Sequence, residues 1–386
     1  MISVQPPVDS RLCGRQGQRG DVRTLLVRTA IGGLIGAFFV WLSARDWPSD
    51  QLSGELSLED GHLVVGTVNL PMLLSGGGVQ QGWAVELWWL LPYVAVLVAI
   101  HAIRVVRWKP LLDPIVEMDW RTHNRIGAVG FMAMFILPLR LGEFVRPYLV
   151  KHETGQTRTS EVLSTVVIER IADGLTVVLV LFCVLFALPA EEPETRTRLM
   201  VGAWVALLVF SAASLLLLGA RWQHTKTLAL VEWTAGLISK GLADKITGML
   251  NAFLGGLRAL PSPKAFAWFL LLTLTYWGIN GLGTWLMAKA FHLPIDLVGG
   301  YAMMACVIVG MMIPNSPGNV GSFWYFLLLP LPLYGVGADN LQAIAFGLTV
   351  WLMQLIQQGL FGAWYLVKGE VTWGRVLAAT SEELDQ

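Results

Sequence analysis

Charge is scarce in this chain of 386 residues: Asp, Glu, Lys and Arg together make up 14%, against roughly 25% in ordinary soluble domains. A water-soluble globular protein is therefore excluded. The 27 basic and 27 acidic residues cancel, which leaves no global positive field of the kind that nucleic-acid binders use. The three cysteines, Cys13, Cys183 and Cys306, are far apart and form no CxxC pair, so neither a disulfide framework nor a cysteine metal or redox motif is available. The six histidines form no HExxH, and nucleophile-elbow, Walker and dinucleotide glycine motifs are missing as well. No catalytic residue, metal site or cofactor is expected, and the chain does not read as a conventional enzyme. Glu117 and Asp119 form an acidic pair amid Lys109, Arg121 and Arg125, which reads as a solvated loop.

What is present is apolar: 55% of residues are AVILMFWYC and 17 are Trp, a residue that anchors proteins at membrane interfaces. Runs near Val22 to Ala44, Val85 to Val106, Val162 to Leu188, Leu199 to Gly219, Ala265 to Lys289, Val298 to Ile313 and Leu341 to Val367 approach the roughly 20 residues that a bilayer crossing needs. The first is too long for a signal-peptide core and lacks a following A-x-A site, so it reads as a retained helix. Arg11, Arg15, Arg19 and Arg23 precede it, whereas the loop over 44–83 is acidic (Asp46, Asp50, Glu55, Glu59, Asp60). By the positive-inside rule the N-terminus is cytoplasmic and that loop external. Arg104, Arg107, Lys109, Arg121 and Arg125 are read as a cytoplasmic flank of the second span, and the C-terminus is also placed inside. Within the external loop, apolar runs flank Asp60-Gly61 and predict a small β-hairpin. The segment 224–262 has apolar residues at helical spacing between Lys226, Lys240, Lys245 and Arg258, a basic amphipathic helix or helix pair on the cytoplasmic lipid face.

Two apolar stretches are broken. One carries Pro138, Arg140, Gly142, Glu143 and Arg146; the other carries Pro314, Asn315, Ser316, Pro317, Gly318, Asn319, Gly321 and Ser322. Proline removes an amide donor and glycine permits unusual dihedrals, and such backbone survives at membrane depth only where protein or a wet cavity satisfies it. Pro138 and Pro314 are offset by 176, and the first and fourth spans, at Arg23 and Leu199, by the same number. Glu169 and Asp173 can be laid on Gln354 and Gln358 at an offset of 185. The expectation is an all-α polytopic membrane protein forming a single integral membrane domain over 1–386, with two inverted repeats, about 22–190 and 198–368, each containing a broken re-entrant helical hairpin. Secondary transporters place their sites where such discontinuous helices meet.

Arg140, Glu143 and Arg146 are three apart, and Glu169 and Asp173 are four apart with Arg170 beside them; on helices each set shares a face. Ionised groups at membrane depth cost at least about 2.5–3.5 kcal/mol, so they pair, and often do so around a polar path. In the functional reading Arg140 and Arg146 hold a phosphate, while Glu143, Glu169 and Asp173 position them or bind protons. In the structural reading the same groups form a lock between helices. Asn315, Ser316, Asn319, Ser322, Gln354 and Gln358 add neutral hydrogen-bonding groups, suited to hydroxyls, sugars or phosphate oxygens, or to joining helices.

Three motifs in order, Leu137 to Pro147, Val167 to Asp173 and Pro317 to Phe323, resemble the transmembrane region of lysylphosphatidylglycerol synthases and the related stand-alone flippase-like proteins. The resemblance runs from the first span to about Lys368. It implies a multi-pass protein of the bacterial cytoplasmic membrane with two re-entrant hairpins, acting on a phospholipid or polyprenyl-linked lipid. It maps motif residues onto Arg140, Gly142, Glu143, Arg146, Glu169, Arg170, Asp173, Pro317, Gly318 and Gly321. Only Gly369 to Gln386 follows the last span, so a stand-alone member without the soluble aminoacyl-transferase domain is expected. Three functions remain open: a translocase for a phosphate-bearing lipid; a membrane scaffold partnered with a glycosyltransferase or envelope enzyme; and a lipid-linked-sugar enzyme using Glu143 or Asp173 as acid or base.

Overall fold

The structure is a computed structural model that describes residues 10–45, 47, 54–59, 62–67, 80–187, 193–236, 239–258, 261–311, 316–337 and 339–381. Pro314 and Asn315 of the second break, and the Asp60-Gly61 turn, lie outside the described residues.

Among the described residues six helices are long and apolar enough to cross a membrane: α1 (Ser10–Ala44, apolar from Leu26), α2 (Leu90–Leu112), α5 (Thr159–Ala187), α6 (Pro193–Trp222), α9 (Pro263–Ala290) and α12 (Leu341–Val367). Between them stand α3 (Trp120–Ile136), α4 (Val145–Thr154), α7 (His224–Gly236), α8 (Lys240–Arg258), α10 (Leu297–Gly310) and α11 (Ser322–Leu328), and α13 (Trp373–Ser381) closes the described chain. Local chemistry sets several of the starts. Asp119, Ser262, Asp296 and Asn340 cap α3, α9, α10 and α12, each side chain accepting the amide three residues on, which satisfies a donor that the first turn leaves unpaired. Many large apolar side chains face outward, among them Leu34, Trp41, Leu91, Leu208, Leu215 and Trp364. Apolar exposure on this scale suits lipid as solvent.

Three expectations change. The seventh expected span, Val298 to Ile313, contains a helix of only 14 residues, α10, about 21 Å at 1.5 Å per residue and so too short to cross a core of about 30 Å alone. The hairpin of the acidic loop is present, β1 (Gly54–Glu59) pairing antiparallel with β2 (His62–Thr67) and Glu59 opposite His62. A third strand, β3 (Gln80–Glu86), pairs on β2 and leads through one 3-10 turn into α2, so Val85 belongs to the sheet and not to a span. Gln342 at the start of α12 holds this sheet, accepting the Ala84 amide at 2.9 Å and donating to the Ala84 carbonyl. Finally, the amphipathic segment is a helix pair whose second member packs on α5: a Cβ on Gly256 would stand 2.3 Å from Ser164 Oγ and 2.4 Å from the Glu161 carbonyl. Ala243, Leu254 and Leu257 are buried there, while Leu230 and Trp233 of α7 stay exposed.

Both breaks are real and each is followed by a short helix and then a long one. In the first, α3 ends before a 3-10 segment, Pro138–Phe144, and α4 and α5 follow. In the second, α10 ends at Gly310, a 3-10 turn occupies Pro317–Asn319, and α11 and α12 follow. The left-handed dihedrals of the first break fall on Leu139 (φ 52) and Arg140 (φ 62) rather than on a glycine, a conformation that costs about 1–3 kcal/mol per residue and clusters at functional sites. Gly142 matters for its size instead. A Cβ added there would lie 2.2 Å from the Met134 amide, so only glycine lets the break fold against α3. In the second break Gly318, Asn319 and Gly321 are left-handed, and α1 lies on it, with Gly36 against Ser316 and Gly321 against Val40. The exposed backbone is satisfied from outside the break by Trp351, whose Nε1 donates to the Gly318 carbonyl at 2.7 Å.

Candidate functional site

A buried ion network joins α2, α4 and α5. Glu169 and Asp173 share one face of α5, and Arg107 of α2 lies against both. Its guanidinium donates to the two Asp173 oxygens at 2.5 and 2.9 Å and to Glu169 Oε1 at 2.8 Å. The second Glu169 oxygen accepts from Arg146 of α4 at 2.8 Å. Arg107, Arg146 and Glu169 are all 1% exposed or less. Aromatic faces pack on both guanidiniums, Arg107 over Tyr276 at 4.4 Å and Arg146 over Trp108 and Phe131, each at 4.8 Å, while Arg107 Nε and Arg146 Nε and Nη2 are buried without a hydrogen-bond partner among the described residues. Trp277 Nε1 adds a bond to Asp173 Oδ1 at 3.0 Å. Charge-assisted forks of this kind are the strong class of hydrogen bond, and breaking one at a buried site leaves an uncompensated charge. Gly130 makes the arrangement possible, since a Cβ there would be 2.1 Å from Arg146 Cγ.

Next to this network a cavity of about 670 Å³ opens between the two breaks. Its polar wall holds Arg140, Glu143, Arg170, Asp173 and Arg104. Glu143 lies 3.1 Å from Arg140 Nε and 3.7 Å from Arg170 Nε, and Arg170 Nη1 lies 3.4 Å from Asp173. Arg104 donates to Gln358 Oε1 at 3.2 Å and stacks over Phe131 at 3.9 Å. A second set of lining groups is neutral: Asn280, Thr284, Ser316, Asn319, Gln354 and Gln358. The remaining lining is apolar and reaches α6, where Val209 and Leu216 line the cavity and are also exposed at 53% and 73%. The cavity thus has a charged end, an amide-rich wall and an apolar side that reaches the outer surface.

The residues singled out from the sequence therefore divide. Arg140, Glu143, Arg170, Asp173, Ser316, Asn319, Gln354 and Gln358 line one cavity. Arg146 and Glu169 do not; they are sealed behind its wall, paired with each other. Ser322 is buried and donates to the Asn319 carbonyl at 3.3 Å, within the break itself. Two arginines read as a cytoplasmic flank are in the site: α2 continues to Leu112, which puts Arg104 on the cavity wall and Arg107 at the centre of the network. Their three-residue spacing places them near one helix face, and two carboxylates on α5 called for cationic partners; ending the span at Val106 leaves Arg107 outside and groups Arg104 with the flank. Asn280 and Thr284 sit in the expected α9 span, where nothing in the apolar pattern marks them as lining groups.

The family described as lysylphosphatidylglycerol synthase TM region matches residues 71–362. The chain belongs to this family. The match takes in both breaks, the network and every described cavity residue. No curated protein and no solved structure matches the chain. Together with the six apolar helices, membership makes this a multi-pass membrane protein of the lysylphosphatidylglycerol synthase TM region family.

Proposed function

We propose that the protein is a lipid translocase of the bacterial cytoplasmic membrane, moving a phosphate-bearing lipid. The observation that carries this reading is the cavity between the two breaks: charged at one end, amide-lined elsewhere, and reaching exposed apolar surface at Val209 and Leu216. Its volume of about 670 Å³ is in the range of small-molecule sites, about 300–1,000 Å³. That admits a head group while acyl chains stay in the lipid. Arg104, Arg140 and Arg170 are the groups that meet the phosphate in this reading, and Arg146 supports them through Glu169. The two break-containing halves, helix, break, short helix and long helix in each, are taken as inverted repeats that expose the cavity alternately to the two leaflets, with both termini cytoplasmic.

The test is reconstitution into vesicles with a labelled anionic phospholipid and a reporter of leaflet exchange. Wild type is expected to speed exchange, and Arg140→Gln to abolish it while the protein remains folded. Unchanged exchange in Arg140→Gln would remove that residue from the phosphate contact, and no acceleration by wild type with any phosphate-bearing lipid would sink the translocase reading. One observation favours a second reading, a scaffold for a glycosyltransferase or envelope enzyme: the Arg107, Arg146 and Glu169 set is sealed from the cavity and ion-paired within itself, as a purely structural lock would be. Co-purification of such an enzyme, unaffected by Arg140→Gln, would support it.

A further inference from the structure

The network and the cavity wall together contain five arginines, Arg104, Arg107, Arg140, Arg146 and Arg170, and three carboxylates, Glu143, Glu169 and Asp173. Positive charge therefore exceeds negative by two. The carboxylates are not shared evenly. Arg107 and Arg146 hold theirs at 2.9 Å or less, and Arg140 lies 3.1 Å from Glu143. Arg170 has only longer pairs, 3.4 Å to Asp173 and 3.7 Å to Glu143 and Glu169. Arg104 has no carboxylate within ion-pair distance among the described residues; besides the Gln358 amide and the Phe131 ring, its Nη2 meets Met134 Sδ at 3.6 Å. Arg170 Nη2 meets the same sulfur, also at 3.6 Å.

Two guanidiniums from different helices, α2 and α5, thus converge on one thioether. A thioether is a weak acceptor, and the two cations repel each other across it in a setting where charge is poorly screened. Methionine is also the most easily re-packed of the apolar side chains. Met134, Arg104, Arg140 and Arg170 all line the cavity.

We propose that the Met134 sulfur occupies the seat of a doubly charged phosphoryl group, and that the cavity selects lipids ending in a phosphomonoester or pyrophosphate over singly charged phosphodiesters. This rests on the reading above that a lipid head group enters the cavity. Two negative charges balance the excess of two. The terminal oxygens of such a group can accept from Arg104 and Arg170 at once, in the fork geometry that guanidinium offers, with Arg140 on the same wall. A phosphodiester has one charge and two free oxygens, and leaves one cation unmatched.

The experiment compares short-chain phosphatidic acid with phosphatidylglycerol of the same acyl chains, measured by native mass spectrometry and by tryptophan fluorescence on purified wild type. At pH 8.5 phosphatidic acid is expected to bind at least tenfold more tightly. At pH 5, below a second phosphate ionisation near pH 6, the preference should shrink to within about twofold. Taking the ratio of the two lipids removes pH effects common to both that come from the protein, whose Glu143 and Asp173 line the cavity and whose His101 lines a small neighbouring pocket with Arg104. Arg104→Gln should cut the preference at pH 8.5 to within about twofold, and the wild-type pH series decides the matter without any variant. Equal affinity of the two lipids at pH 8.5 overturns the charge-matching proposal; if phosphatidylglycerol is nonetheless bound and exchanged between leaflets, the translocase reading survives. If neither lipid binds and neither is exchanged, both fall.

Discussion

Replacing Arg107 by methionine removes the cation that holds both α5 carboxylates most closely, Arg170 reaching them only at 3.4 and 3.7 Å, while keeping much of its apolar stem. Glu169 would keep Arg146 at 2.8 Å, and Asp173 would keep Trp277 at 3.0 Å and Arg170 at 3.4 Å. Each carboxylate loses its shortest or joint-shortest partner, at 2.5 Å for Asp173 and 2.8 Å for Glu169, in a site where Arg107 is 1% exposed. Removing one partner from a buried pair costs about 3–5 kcal/mol. At about 2 °C per kcal/mol, the value for the larger domains surveyed, the melting temperature should fall by roughly 6–10 °C. The assay is tryptophan-monitored thermal unfolding in a single detergent at a fixed scan rate, since such unfolding is often irreversible. Adding Asp173→Asn to Arg107→Met removes the carboxylate left with only Trp277 and the longer Arg170 pair, and should recover part of the loss, the sign of a coupled pair in a double-mutant cycle. Arg104→Gln, by contrast, touches no carboxylate and should shift melting by only a degree or two while changing lipid binding. A melting temperature for Arg107→Met within about 1 °C of wild type would refute the view that this network fastens α2 to α5.

Other perturbations probe separate contacts. Gly142→Ala drives a Cβ to within 2.2–2.3 Å of the Ala133–Met134 backbone; backbone cannot step aside as a side chain can, so the cost should reach the top of the usual overpacking range, about 3 kcal/mol, with lipid binding lost as Arg140 and Glu143 move, both measurable on one detergent sample. Gln342→Ala removes both bonds to Ala84 and should cost about 1–2 kcal/mol, read as faster hydrogen exchange in the three-stranded sheet with α5 unchanged. Glu370 lies past the end of α12; burial opposes its ionisation, but hydrogen bonds from Arg125 and Arg121 prevail and hold its carboxyl below the usual range. A lowered folded-state value means that this contribution is complete above the ordinary carboxylate value and is lost as pH falls through the folded one, so limited proteolysis near α13 should accelerate only below about pH 4, and Glu370→Gln should show the fast pattern at neutral pH.

The parts of this fold that are legible in the sequence are those governed by local rules. Proline and glycine in an apolar run mark a break whatever packs around it, which is why Pro138, Gly142, Pro317, Gly318 and Gly321 all fall in or beside the observed breaks. The long spans follow from hydropathy in the same way. The third strand is harder to see: β3 is held by pairing with β2 and by the Gln342 clamp from a helix about 250 residues later, and no local pattern records such a partner. The left-handed residues of the first break are hidden too, since glycine is the natural carrier and yet Leu139 and Arg140 hold the strain while Gly142 supplies only room.

The site is half legible for a related reason. Spacing shows which charges share a helix face, and so groups Glu169 with Asp173, but it is silent on which helix answers them. Arg146 reads as a ligand for phosphate because it follows Arg140 and Glu143 at helical spacing; the chain instead turns left-handed at Leu139 and Arg140, and the two arginines end on different sides of the cavity wall. The charge that answers Glu169 and Asp173 most fully comes from Arg107, the residue just past the expected end of the span at Val106. An apolar window stops at the first ionised residue, yet in a multi-pass protein that residue belongs inside the helix whenever a carboxylate on a neighbour can pair with it. Counting opposed charges across candidate spans, and not only along each one, would have extended the second span to Arg107 and set Arg104 inside it. The same count returns five arginines against three carboxylates, and it is this surplus, rather than any single motif, that distinguishes a closely ion-paired lock from a cavity wall still able to take an anion.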